Sequence, residues 1–259
     1  MLKITRTLIS VYYAYMLEYR AEIFFWILSG SLPIILMGVW IQAASNGGFS
    51  LSSLDFARYF FAVFLVRQVT NIWVIWEFEQ EIIEGTLSFR LLQPLDPVWH
   101  HVARHLAEKL TRLPLVILFS ALFFWLYPKA TWSPDLSRII LTGLTVVLSF
   151  ILAFLIQYNF SMLAFWMERA TSIQQFWSLL QIFFSGIIAP LDVFPAPFKE
   201  ALLWTPFPYI NYFPSAMAVG LNIHLEKGLG IMFFWIVLCY TLNRWLWRKG
   251  LRQYSGMGA

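Results

Sequence analysis

The sequence predicts an all-α integral membrane protein with six transmembrane helices, and three observations carry that expectation. Hydrophobic residues make up 59% of the chain and charged residues 12%. That is about half the charged share of an ordinary globular domain, too little polar surface to clothe a water-facing fold of this size. Six apolar segments follow one another, and six spans would use ~120 positions, leaving room for connections but no sizeable soluble domain. The 25 Phe, 13 Trp and 11 Tyr suit a chain bordering lipid, where aromatic rings collect at the interface.

Residues 1–20 are not a span, because Lys3, Arg6, Glu18 and Arg20 interrupt them. Ile9, Tyr12, Tyr13 and Met16 recur at helical spacing and predict an amphipathic helix lying in the interface. The first span covers about 23–42 and ends at the turn-forming Ser45-Asn46-Gly47-Gly48. The second covers 56–76 and leads into the polar stretch 77–112. The third, 113–127, is short and opens near Pro114. Residues 128–134 form a loop, and the fourth span, 139–166, is long enough to tilt or project. After a tight Met167-Glu168-Arg169 turn the fifth covers 173–189. Residues 190–228 carry Pro190, Pro195, Pro197, Pro206, Pro208 and Pro214 among aromatic residues. They are too apolar for a solvated loop and too proline-rich for a straight span. They predict short re-entrant helices packed into the outer half of the membrane, where irregular backbone survives only when buried in protein. The last span, 229–247, is anchored by Arg244, Arg248, Lys249 and Arg252. No internal repeat or low-complexity segment divides residues 1–259, which read as one transmembrane domain.

The formal charge of +4 comes from 18 Lys and Arg against 14 Asp and Glu. No basic stripe suits phosphates, so nucleic acid is excluded as a partner. With the N-terminus inside, twelve basic residues fall on the cytoplasmic side, five outside, and Arg67 within a span. Six spans with both termini in the cytoplasm is the consistent arrangement. The single cysteine, Cys239, has no internal partner. No apolar core with a small-residue cleavage site follows Lys3 and Arg6. The compact length and lack of sorting signals point to a bacterial inner (plasma) membrane.

Three groups of residues are candidates for chemistry. The first is Glu77, Glu79, Glu81 and Glu84, then Gly85-Thr86-Leu87 and Leu91-Leu92-Gln93-Pro94-Leu95. This is either a solvated acidic turn or a short helix docking onto a soluble partner through Leu87, Leu91 and Leu92. Paired acid–base carboxylates are a third reading, but no nucleophile stands nearby. The second group is His100-His101-x-x-x-His105 with Glu108. Histidines at i and i+4 can chelate; without a cysteine or a fixed fourth ligand, no metal is expected. The order His-Glu-x-x-His is absent, and no catalytic residue is assigned. The third is Arg67, Gln68 and Asn71 in the second span. A charge at membrane depth is costly and faces a bundle interior or water, and Arg67 and Asn71 share a helix face. They line a pathway or subunit interface, or Arg67 snorkels or pairs with a neighbouring carboxylate. Gln157, Asn159, Gln174, Gln175 and Gln181 are expected to make interhelical hydrogen bonds.

Glu81-x-x-Glu84-Gly85-Thr86-Leu87, followed by Leu-Leu-x-Pro-Leu, resembles the cytoplasmic coupling segment of ABC-2 type transporter permeases. In that family a Glu-x-x-x-Gly-Thr-Leu-like stretch after the second span contacts the ATP-binding subunit. Gly186-Ile-Ile-Ala-Pro190-Leu-Asp-Val-Phe194-Pro195, with Pro206-Phe-Pro208-Tyr-Ile and Tyr212-Phe-Pro214, resembles the family's outer re-entrant region. The likeness runs over essentially the whole chain and is to the short permeases. It implies the permease subunit of an exporter, forming half of the pathway, with a coupling helix after span two. Glu81, Glu84, Gly85, Thr86, Leu87 and Leu91 would then couple to the ATPase. It also implies an ATPase subunit dimer that holds ATP and Mg, a second permease copy, identical or related, and membrane lipids as surroundings. The chain's lack of a Gly-x-x-x-x-Gly-Lys-Ser/Thr loop agrees with ATP hydrolysis on a separate subunit; the chain itself is expected to be no enzyme and to bind no cofactor. The alternatives are an intramembrane lipid-modifying enzyme, which needs polar catalytic residues converging at one depth, and a membrane assembly scaffold.

Overall fold

The structure, a computed structural model, describes residues 2–167 and 169–257; Glu168, in the turn expected after the fourth span, lies outside them. The described residues form twelve α-helices joined by short 3-10 turns, with no strand. In order they are α1 Leu2–Glu18, α2 Arg20–Ser29, α3 Leu32–Ser45, α4 Ser53–Thr70, α5 Val74–Ile83, α6 Leu87–Leu91, α7 Val98–Leu126, α8 Leu136–Ser161, α9 Thr171–Phe184, α10 Ala196–Leu202, α11 Tyr212–Val219 and α12 Leu225–Met257.

Five segments of the described residues are long and apolar enough to cross a membrane: Ala21–Ser45, Ser53–Ile83, Val98–Leu126, Leu136–Phe165 and Leu225–Tyr254. The chain is a multi-pass membrane protein. The span expected at 173–189 is not among the five. Its helix, α9, has 14 residues, ~21 Å at 1.5 Å per residue, short of a hydrocarbon core of ~30 Å. Gly186, at φ +90°, turns the backbone out of the helix just beyond Ser185. The third span is longer than expected: α7 continues through Pro114 and starts at Val98, so the polar residues 98–112 belong to the same helix.

α4 is the centre of the bundle. A capping box opens it, with Asp55 N–H donating to Ser52 Oγ and Ser52 N–H to Asp55 Oδ2 at 3.0 Å. Phe56, Ala57, Tyr59, Phe60, Phe61, Ala62, Val63 and Phe64 are all buried, so the helix is covered on every side. α3, α8 and α11 pack around it, and α12 packs on α8. The chain leaves α4 through an extended Asn71, whose ψ is 111°, and resumes as α5. α1 lies along α7: Met16 is buried and Ile9 and Tyr12 are half-covered, while Tyr13 stays exposed. Residues 190–219 run as two 3-10 turns, α10 and α11. Trp40 Nε1 donates to Ile188 O at 2.8 Å and Tyr59 Oη to Gly186 O at 2.8 Å, so α3 and α4 satisfy carbonyls of the irregular backbone that leads into this region.

Candidate functional site: an ionic cluster, a short exposed helix and a polar cavity

α5 and the first half of α7 are joined by buried charges. Arg104 Nε lies 2.9 Å from Glu77 and Arg90 lies 2.8 Å from Glu81. His101 bridges both carboxylates, at 3.5 Å each. Glu108, fully buried, faces Arg112, His105 at 3.3 Å and Lys109 at 3.5 Å, and accepts a hydrogen bond from Trp73 Nε1 at 2.9 Å. Lys109 Nζ donates to Asn71 O at 2.6 Å, tying α7 to the break between α4 and α5. Buried charge is tolerated when it is paired, and Glu77, Glu81 and Glu108 each face a cation here. The histidines therefore serve the cluster: His101 lies against Glu77 and Glu81, His105 against Glu108, and His100 meets Tyr12 Oη at 3.1 Å. No group of three His, Cys, Asp or Glu among the described residues is arranged to hold a metal. Sequence reasoning left Arg104, Lys109 and Arg112 unassigned. The signal for Arg104 and Arg112 was their spacing, four residues either side of Glu108, on a helix that was read as starting too late, at 113 rather than at Val98.

The coupling residues expected from the sequence part company. Gly85, at φ +71°, turns the chain from α5 into α6. Glu84 is exposed and accepts from Gln80 Nε2 at 2.7 Å; Thr86 is half-buried and its Oγ1 lies 3.5 Å from Glu81 O. Glu81 is turned inward to Arg90 and His101. Leu87, expected as an outward anchor beside Leu91, is instead fully buried in a cluster with Phe78 and Trp247. The reason is geometric: α6 has only five residues and lies against the bundle, so its first leucine goes under it. The outward apolar surface belongs to Ile83, Phe89, Leu91 and Leu92, with Leu92 84% exposed. Phe89 was passed over because it stands off the leucine spacing. The turn is held from behind, since Tyr254 Oη donates to Gly85 O at 3.2 Å and Arg244 lies 3.0 Å from Asp96.

Arg67 and Asn71 line a cavity of about 310 Å³ with Trp73 and Trp76, Gln157 of α8, and Gln174, Gln175, Ser178 and Gln181 of α9. Gln68 does not join them; it is buried, with its amide near Gly30. Of the residues expected to bond between helices, Asn159 does, donating to Cys239 O of α12 at 3.0 Å. Gln174 bonds Ser178 within α9 at 2.6 Å. Glu79 caps the start of α9, accepting from Thr171 N–H at 2.9 Å. Near the α11–α12 connection a second cavity, about 340 Å³, includes Lys199, Glu200, Tyr212, His224 and Lys227 in its lining.

Two comparisons bear on these features. The family model described as ABC-2 family transporter protein matches residues 25–258. No curated protein matches the chain.

Proposed function

The chain belongs to the ABC-2 family of transporter proteins, and from that premise we propose that it is the permease subunit of an ATP-driven exporter. It forms half of a translocation pathway that a second permease copy, identical or related, completes. ATP and Mg are held by a separate ATPase dimer, and the permease itself does no catalysis and binds no cofactor. The observation that carries this reading is the α5–α6 turn, where a short helix presents Phe89, Leu91 and Leu92 outward while Leu87 roots it in the bundle. An exposed apolar face on a firmly seated element is what a docking helix needs. Movement imposed on α6 reaches α7 through the Arg90–Glu81–His101 contacts and α12 through Tyr254. Coupling then requires that α6 contact the open and closed ATPase differently.

The arrangement in the membrane is six crossings with both termini in the cytoplasm of a bacterial cell and the chain in its inner membrane. Five crossings would put the two basic-flanked termini on opposite faces, against the distribution of Lys and Arg. The remaining crossing is supplied by α9 together with the residues 185–189 that prolong it: Glu79 of α5 holds the start of α9, and Tyr59 in the first turns of α4 holds Gly186 just beyond its end. Residues 190–219 then form the outer re-entrant region. A cysteine replacing Ser88, an exposed residue between Leu87 and Phe89, tests the central claim. It should crosslink to an ATPase subunit in native membranes, with a yield that changes on adding nucleotide. If no soluble partner is trapped and none co-purifies, the permease reading fails.

A further inference from the structure

The cavity between α4, α8 and α9 contains a cation and, in its lining, no acid. Arg67 stays protonated under any condition a protein meets, and a guanidinium among apolar helices needs an anion, acceptors or water. Its Nη1 is buried and has no hydrogen-bond partner among the described residues. The carboxylates of α5 and α7 are committed elsewhere: Glu77 to Arg104, Glu81 to Arg90, Glu108 to Arg112 and Glu79 to the start of α9. The remaining polar lining is neutral, chiefly the side-chain amides of Asn71, Gln157, Gln175 and Gln181. Gln157 Oε1, like Arg67 Nη1, is buried without a partner among the described residues. Trp73, Trp76, Ile156 and Ile182 supply apolar wall beside these groups.

A lone guanidinium fringed by amide donors matches an oxyanion, and the indole and isoleucine wall matches an apolar body attached to it. The space of about 310 Å³ has room for about ten waters at ~30 Å³ each, or for one phosphate or carboxylate head group. We propose that this cavity is an oxyanion site that receives a phosphate- or carboxylate-bearing amphiphile. Arg67 supplies the charge and the glutamines of α8 and α9 the further donors. The inference rests on the permease reading and deepens it by naming the chemical class of the cargo.

The site can be tested on the full chain purified in a neutral maltoside detergent. Cys239 is the one cysteine and is buried, so a thiol-reactive fluorogenic maleimide reports thermal unfolding. Three probes are titrated: sodium phosphate, dioctanoyl phosphatidic acid, and dioctanoylglycerol, which lacks only the phosphate of the second. Phosphatidic acid should raise the unfolding temperature saturably, as any ligand of the folded state does, and dioctanoylglycerol should not. Arg67→Gln should weaken the response about tenfold or more, and Arg67→Lys should keep most of it. Ser178→Trp should abolish the response while leaving the cation in place, because it fills the cavity from α9. It also carries the test if Arg67→Gln folds poorly. A response to sodium phosphate alone would keep the oxyanion site and overturn the amphiphile. Equal responses in wild type, Arg67→Gln and Ser178→Trp, or an equal response to dioctanoylglycerol, overturn the proposal. If that happens while the Ser88→Cys crosslink persists, the oxyanion site is lost and the permease reading stands.

Discussion

Leu87 and Leu92 stand five residues apart, on either side of a single short helix, and should fail in opposite ways when substituted. Leu87 is fully buried against Phe78 and Trp247, so Leu87→Ala removes packed methyl groups and leaves a cavity, at a cost of about 2–5 kcal/mol of stability. Leu92 is 84% exposed, and Leu92→Ala should change the stability of the isolated permease by no more than about 0.5 kcal/mol. The order reverses for partner binding. A carboxylate at position 92, buried without a partner at an apolar contact, costs a few kcal/mol; at ~1.4 kcal/mol per decade, 3 kcal/mol is about a hundredfold in affinity. Leu92→Glu should therefore keep the wild-type unfolding temperature and lose the ATPase, and Phe89→Glu should do the same. Leu87→Ala should unfold at a lower temperature, yet retain the ATPase in proportion to its folded fraction. The assays are thiol-reactive unfolding through Cys239 and co-purification from native membranes. Full ATPase retention by the Phe89→Glu/Leu92→Glu double variant would refute the assignment of this face. Loss of the ATPase in a Leu87→Ala protein of unchanged stability would refute the inward role of Leu87.

Further outcomes follow from the packing. Gly186→Ala combines a left-handed φ of +90° with a methyl group that would collide with Tyr59 Oη and the Tyr212 side chain; it should cost at least ~2 kcal/mol. Gly38→Ala, in the middle of α3 with open space around it, should be neutral or gain up to ~1 kcal/mol in the same unfolding assay. Arg112→Met leaves the Glu108 carboxylate short of its closest cation and should destabilise by about 3–5 kcal/mol, with Arg112→Lys recovering part of the loss. Tags at both termini and at Gln93 should be accessible only from the cytoplasm, and tags near Asn46 and Asn222 only from outside. Protease protection that placed the termini on opposite faces would end the six-crossing arrangement.

The helical membrane class was legible because it follows from composition, and the first, second, fourth and last spans because long apolar runs admit few other structures. Two boundaries were not. Pro114 looked like a start signal, yet α7 passes through it, because the Glu77–Arg104 and Glu108–Arg112 contacts hold the preceding turns in helix. The segment at 173–189 looked apolar enough for a span despite Gln174, Gln175 and Gln181, and its helix stops at Ser185 because Tyr59 and Tyr212 claim the backbone there: Tyr59 Oη donates to Gly186 O, and Tyr212 N–H donates to Ser185 O at 2.8 Å. Those partners lie more than twenty residues away, so no local pattern announces them. The α5–α6 turn was readable from Gly85 and the acidic run. Which leucine faces inward depends on how α6 rests on α12, and that is tertiary information. Arg67 and Asn71 do line one cavity, but Asn71 reaches it from the extended break after α4 and not from a shared helix face, and the glutamines of α9 acquire their meaning only when α9 is laid across the end of α4.

The burial of α4 on every side also has a consequence in time. The ribosome completes α4 early, when α3 is the one neighbour among its main packing partners already made; α8 and α11 begin at Leu136 and Tyr212. About 140 residues separate the end of α4 from the start of α11, which at ~5–20 residues per second is a delay of roughly 7–28 s. Throughout that interval Arg67 sits in a helix whose final surroundings do not yet exist. A helix holding such a charge has no stable home in bare lipid. It must wait beside the insertion machinery, or slip partly back toward water, until the later helices arrive to enclose it.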